Sequence, residues 1–279
     1  MKISSPLFEN KTIGITYNNK LIRSVGDTVC LSAVLEEYYK QTNEQLVVST
    51  TIPELFLNNP CVKNITNANS VDINLSPCLL YECNIIHHYA DQMGMKLPLN
   101  STPKIYLSDD EKEYGRNNLK EFNGFKKIAV CLSTYADAKT LRTEIVTPLL
   151  DKLKGIGYKL ISVGTDIMDK YNYDKSFVSK TTLREAGAII SECELFLGTD
   201  CGLFHIAAGL NVPQVIFFRH NKASNNSYHN TSFIDSEVVC DGNCLLPNLG
   251  LCHKSIRCMD SFDFDGYFTI INKKINNII

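Results

Sequence analysis

Apolar residues along this 279-residue chain fall in short runs separated by stretches with helical spacing, and the alternation repeats. Residues 11–17 read as a first strand. A polar loop at 18–27 leads into a helix over 28–40, and 45–49 is a second β-rich run. There follow a short helix near 53–57, strands near 62–65 and 72–75, and a helix over 83–93 stopped by Gly94. A connector at 98–103 and a charged helix over 109–118 come next. Asn123-Gly124 marks a boundary. The pattern then restarts with a strand at 128–132, a polar loop at 133–142 and a helix at 143–154. A strand at 158–163 ends at Gly164, and a helix over 181–193 is capped by Thr181 or Thr182. Strands at 194–197 and 214–218 flank a small-residue helix. This alternation in both halves predicts two α/β domains with parallel sheets and right-handed crossovers. Such sheets bind ligands beyond the C-terminal ends of their strands. Gly26-Asp27 and residues 200–205 both fall there, so domains that face each other would line one cleft with them.

The segment Gly198-Thr199-Asp200-Cys201-Gly202-Leu203-Phe204-His205 carries the clearest chemistry. A buried strand ends in Asp and Gly and opens into a helix, whose first N–H groups have no partner inside it and favour an anion. Gly202 lets the backbone come close. His205 lies one turn in and reaches the same spot. The functional reading is a phosphate or diphosphate seat, and the plain alternative is a strand–turn–helix with a satisfied histidine. Ser133 and Thr134 end a strand at the same rim, where they either donate hydroxyl hydrogen bonds or form a turn. Thr165 and Asp166 follow the next strand, where a nucleoside would sit. His87 and His88 are adjacent on a helix, do not share a face, and are read as structural.

Composition narrows the class. With 28 basic residues against 30 acidic ones the net charge is −2, which argues against a broad nucleic-acid surface. No apolar run reaches the roughly 20 residues that span a bilayer. Residues 1–10 lack the apolar core and cleavage site of an export signal, so a cytoplasmic setting is expected. There the eleven cysteines would be reduced thiols or metal ligands. Peripheral membrane contact and oligomerisation stay open.

Several segments together resemble one family. They are Gly26-Asp27 ahead of an apolar helix, Asn59-Pro60-Cys61-Val62 ahead of a strand, and His88-Tyr89-Ala90 through Gly94-Met95 with Pro103 after it. The others are Lys139, Lys180-Thr181-Thr182-Leu183, and Asp200-Cys201-Gly202 with His205 and paired alanines. The chain resembles glycosyltransferase family 9, the heptosyltransferases of lipopolysaccharide core synthesis. It departs at Cys201, where the family usually has Thr or Ser, at Leu141, where it usually has an aromatic, and in its short length.

The resemblance implies a GT-B fold. An acceptor-side domain would span 1–124 and a nucleotide-sugar domain 125–262, with a helix over 263–279 packing back on the first domain. It implies inverting, metal-independent transfer of a sugar, with ADP-heptose as the leading donor, to a lipopolysaccharide-type glycan or a protein hydroxyl. Asp27 would be the general base; read without the family, it is a helix cap. Lys139, otherwise a solvated loop lysine, would meet the leaving diphosphate together with His205 and the helix start at Asp200, Cys201 and Gly202. No cofactor is implied for transfer. Two rivals remain: a nucleotide-sugar epimerase on the same fold, and a non-catalytic module that binds a nucleotide sugar.

Cys240, Cys244, Cys252 and Cys258 lie within nineteen residues of a loop rich in Gly, Asn and Pro. Four thiolates at this spacing make a closed structural site for zinc or iron, with His253 as a substitute ligand. The alternative is four reduced thiols. A related group that glycosylates autotransporter proteins uses such a motif to hold iron.

Overall fold

The structure, a computed structural model, describes residues 11–77, 84–134, 136–165, 170–218, 223–234 and 258–276. The first sheet is built from β1 (Thr12–Tyr17), β2 (Lys20–Leu21), β3 (Leu46–Ser49), β4 (Val62–Thr66) and β5 (Ile73–Leu75). β4, β3, β1 and β5 run parallel, and β2 folds back antiparallel on the end of β1. Helices α1 (Val25–Thr42), α2 (Ile85–Gln92) and α3 (Asp109–Leu119) accompany it. The second sheet contains β6 (Lys127–Cys131), β7 (Lys159–Ser162), β8 (Lys175–Ser176), β9 (Leu195–Thr199), β10 (Gln214–Phe217) and β11 (Thr231–Ser232). Its order is β11-β10-β9-β6-β7-β8, with every pairing parallel. Helices α4 (Thr143–Gly155), α5 (Leu183–Ser191), α6 (Gly202–Gly209), α7 (Ala223–Asn226) and α8 (Phe264–Ile275) belong to this half.

From β6 the chain proceeds outward through β7 and β8, then returns to β9 on the other side. The order therefore reverses between β6 and β9, and parallel sheets hold ligands at such a reversal. The two-residue strands β2, β8 and β11 carry no periodicity and were not predicted; pairing with a longer neighbour creates them.

α1 begins three residues before the expected position. Ser24 is extended (φ −116°) and its hydroxyl accepts the Asp27 N–H, so the helix starts at Val25 and takes in Gly26 and Asp27. It closes at Asn43 in the left-handed region (φ 59°).

α8 corrects the expectation of a helix returning to the first domain. Its buried face, Tyr267, Ile271 and Ile275, repeats every four residues and joins the second core beside Leu149 and Leu153 of α4. The Tyr267 hydroxyl donates to the Ile216 carbonyl at 3.2 Å, and Tyr158 donates to Asn272 at 2.7 Å. These buried polar bonds together with the apolar stripe commit the helix to its own half.

Two helix pairs make the largest contacts between the halves among the described residues. α1 packs on α6, and α3 packs on α5. At the second contact Arg184 of α5 is buried and forks onto Glu111 of α3, with Nη2 2.6 Å from Oε2. It also donates to the carbonyls of Glu54 at 2.9 Å and Tyr106 at 2.6 Å. The Arg184 hydrogen bonds hold the Glu111 carboxyl below its ordinary range. A planar guanidinium that donates from all three nitrogens to a carboxylate and two carbonyls is an arrangement that tolerates burial.

Candidate active site

A cleft of about 1110 Å³ lies where the two halves meet. One wall is the first turn of α1 and the other is the set of loops beyond β6 and β9. Asp27, Ser133, Thr134, Lys139, Thr165, Asp200, Cys201, Gly202 and His205 all line it. Asp166 lies outside the described residues.

Asp27 is the third residue of α1 and not its cap. Ser24 fills the cap position and also donates its hydroxyl to Asp27 Oδ2. The Tyr89 hydroxyl, from α2, donates to Oδ1. Two hydroxyls on two elements thus fix the carboxylate plane, and an ionised carboxylate keeps further lone pairs for another proton donor.

Asp200 directly follows β9 and is 7% exposed. Lys139 Nζ lies 3.0 Å from its Oδ2, Asn226 donates to the same oxygen at 3.0 Å, and His205 Nε2 stands 3.7 Å from Oδ1. Burial opposes ionisation, but the Lys139 ammonium and then His205 hold the carboxyl far below the usual range. The carboxylate is thus engaged by Lys139 and Asn226, with His205 beside it.

His205 differs from expectation. Its ring is buried, with Nδ1 2.5 Å from the Tyr228 hydroxyl and 3.5 Å from Cys30 Sγ. Tyr228 and Cys30 are themselves 3.3 Å apart, and Cys30 sits one turn beyond Asp27 on α1. Burial alone would lower the imidazole; Cys30 and the Asp200 carboxylate outweigh it and push it up to about 10. The ring is thus held behind the start of α6, with Tyr228 and Cys30 at Nδ1 and the Asp200 carboxylate on the Nε2 side.

Gly202 also has a different reason from the one expected. A Cβ there would stand 2.7 Å from Val25 Cβ, so the glycine lets the start of α6 pack on the Val25 side chain of α1. The N-termini of α1 and α6 thus meet at the cleft, and both present positive dipole ends to it.

Thr134 uses its hydroxyl in a turn, donating to the Ala136 carbonyl at 3.0 Å and accepting its N–H at 2.9 Å. Ser133 stands half-buried on the rim. Thr165 is exposed there, and its carbonyl accepts from Ser179 at 3.2 Å. His88 hydrogen-bonds the Ser76 carbonyl at 2.9 Å, a structural contact. Cys258 is buried in the second core, while Cys240, Cys244 and Cys252 lie outside the described residues. Among the described residues no three His, Cys, Asp or Glu side chains are grouped to hold a metal ion. No described helix is long and apolar enough to cross a membrane. Ser24, Tyr89, Asn226, Tyr228, Cys30 and Cys131 were not anticipated in the site. Tyr89 lies inside the His88-Tyr89-Ala90 segment, but nothing in the sequence pairs it with Asp27.

Comparison with known proteins places the chain in a family and a fold. A model of glycosyltransferase family 9 (heptosyltransferase) matches residues 73–231. The glycosyl transferase family 9 structure from Veillonella parvula DSM 2008 superposes with a TM-score of 0.73 at 14% identity, covering 98% of this chain and 99% of that one. E. coli ADP-heptose lps heptosyltransferase II gives 0.70 at 15%, covering 96% and 99%. The iron-containing dodecameric glycosyltransferase TibC from enterotoxigenic E. coli H10407 gives 0.72 at 13%, covering 98% and 78%. No protein with a curated description matches the chain in sequence. The family match spans more than half of the chain, the parallel α/β halves are those of the GT-B heptosyltransferases, and the chain therefore belongs to glycosyltransferase family 9 and is a glycosyltransferase.

Proposed function

We propose that the protein transfers a heptosyl group from ADP-heptose, with inversion, to a hydroxyl of a glycan or a protein. The observation that carries this reading is a single cleft. On one wall stands Asp27, gripped by Ser24 and Tyr89; on the other stands a cationic seat made by Lys139, the start of α6 and the charge of His205. Asp27 takes the proton of the acceptor hydroxyl as its oxygen bonds to the anomeric carbon. The bond from that carbon to the diphosphate oxygen breaks, and the charge developing on the oxygen is met by the α6 N–H groups and Lys139. Attack from one wall and departure toward the other gives inversion in one displacement. The cations of the chain supply the leaving-group stabilisation, so the reading routes no step through a metal.

In this reading residues 1–124 present the acceptor and 125–262 hold the donor, with Thr165 at the nucleoside end. We place the reaction in the cytoplasm, in keeping with cysteines read as reduced thiols. The four loop cysteines are read as one structural metal site, and the iron of TibC makes iron the first metal to assay.

Thermal shift with ADP, GDP and UDP tests the donor. ADP at about 100 times its Kd should add about 2.7 kcal/mol of stability. Preference for GDP or UDP overturns the adenine assignment, and silence from all three overturns the nucleotide seat. Transfer from ADP-heptose to water or acceptor, followed by the anomeric configuration of the product, tests inversion.

A further inference from the structure

Cys131 ends β6 and Cys201 follows β9, its parallel neighbour, with Cys131 paired opposite Gly198. The turn at Asp200 brings Cys201 back over the end of β6, and the two sulfurs stand 3.9 Å apart. Both residues line the cleft; Cys201 is half-buried and Cys131 is 5% exposed. Cys201 caps α6, so its sulfur stands at the helix start proposed to receive the diphosphate.

We propose that Cys131 and Cys201 form a redox-sensitive thiol pair that a hydroperoxide closes into a disulfide, and that closure shuts the anion seat at the start of α6. The cross-link stands on the thiol geometry alone, whereas its consequence rests on the nucleotide-sugar reading. The Cys201 thiolate attacks one peroxide oxygen; the O–O bond breaks, the departing hydroxide takes a proton as water, and Cys201 becomes a sulfenic acid. Cys131 loses its proton and attacks that sulfur; the S–S bond forms, the S–O bond breaks, and a second water leaves. Two thiols are oxidised by two electrons and one hydrogen peroxide is reduced to two waters. Cys201 is the more exposed of the two and so the one a peroxide reaches first; the contact with Cys131 and the N–H groups of Phe204 and Leu203 lower its thiol against burial and the Asp200 carboxylate.

Closure must bring the sulfurs from 3.9 Å to about 2.0 Å. The turn has little room to follow, because Gly202 is pressed on Val25 and Asp200 is tied to Lys139 and Asn226. Pulling Cys201 toward β6 therefore displaces the N–H groups of the seat, and a dithiol reductant reverses it.

The test treats reduced protein with hydrogen peroxide, quenches with catalase, alkylates with iodoacetamide and maps peptides. A linked Cys131–Cys201 peptide pair, lighter by about 2 Da, is expected. The affinity for ADP, read by calorimetry, should fall at least about tenfold and return with dithiothreitol. Cys131→Ser should give no cross-link and should leave a dimedone-reactive sulfenic acid at Cys201. Both thiols alkylated after peroxide, or Cys201 linked elsewhere, overturns the pair. A cross-linked protein that binds ADP unchanged overturns the closure of the seat. Reduced protein that binds no ADP overturns the donor reading instead, with the peptide map still judging the pair.

Discussion

The imidazole of His205 lies directly against the backbone of Gly26: a Cβ on Gly26 would stand 2.8 Å from His205 Cδ2. Gly26 starts a helix of the first half and His205 sits inside α6 of the second, so the two halves touch within one turn of both proposed catalytic and donor groups. Gly26→Ala should push the ring off its partners. A stability loss of about 1–3 kcal/mol is expected from overpacking, with weaker ADP binding, read by urea denaturation and calorimetry. An unchanged ADP affinity in this variant would separate His205 from the donor seat.

Asp27→Asn should keep fold and ADP affinity while transfer falls about 100- to 10,000-fold, the range for a removed general base. Tyr89→Phe removes one hydroxyl from the carboxylate. A hydrogen bond to a charged group is worth about 1.5–3 kcal/mol, so kcat should drop about 10- to 100-fold at unchanged ADP affinity. Wild-type kcat in Asp27→Asn would remove the base assignment.

Lys139→Ala strips the cation from a buried carboxylate. Removing one partner of a buried pair costs about 3–5 kcal/mol, and the lower half of that range is expected because the Lys139 side chain is 19% exposed. Asp200→Asn in the same chain should restore much of the stability, because the unpaired charge is gone, but not ADP affinity. Chemical denaturation and calorimetry on the single and double variants separate the two effects.

Stability should depend on pH through His205 and Asp200. The folded imidazole is raised to about 10. Its contribution is therefore complete below the unfolded value of about 6.5 and is lost as pH rises from there through the folded value. Asp200 is held low, so its contribution is present above the ordinary carboxylate value and is lost only in strong acid. The denaturation free energy should fall between about pH 6.5 and 10, by at most about 1.4 kcal/mol per pH unit for one proton. His205→Gln should flatten that limb, and an equally steep limb in the variant would show that another group causes it.

If Cys240, Cys244, Cys252 and Cys258 bind one metal, purified protein should carry about one zinc or iron per chain. Serine at any one of the four should lower metal content without abolishing ADP binding, because the seat is built from other elements. Metal-free protein with a protease-resistant loop would leave these cysteines as reduced thiols.

Most strands and helices were legible because a parallel sheet covered by helices needs apolar runs of four to six residues and helical stripes of fixed period, and both are local patterns. That Asp27 and residues 200–205 would line one cleft was legible for a related reason: both lie where a helix starts at the rim of a parallel sheet, a placement set by local pattern. Three features were decided only by tertiary contact. The Asp27 carboxylate, placed inside α1 by the local Ser24 cap, is gripped by Tyr89, 62 residues away. α8 settles on its own half because Tyr267 finds the Ile216 carbonyl and its apolar stripe finds α4. His205 meets Cys30, 175 residues distant in sequence, and Cys30 and Asp200 together raise its imidazole. Local pattern records what a segment buries. It carries no record of which distant group meets it there, and charge, tautomer and carboxylate orientation depend on that meeting.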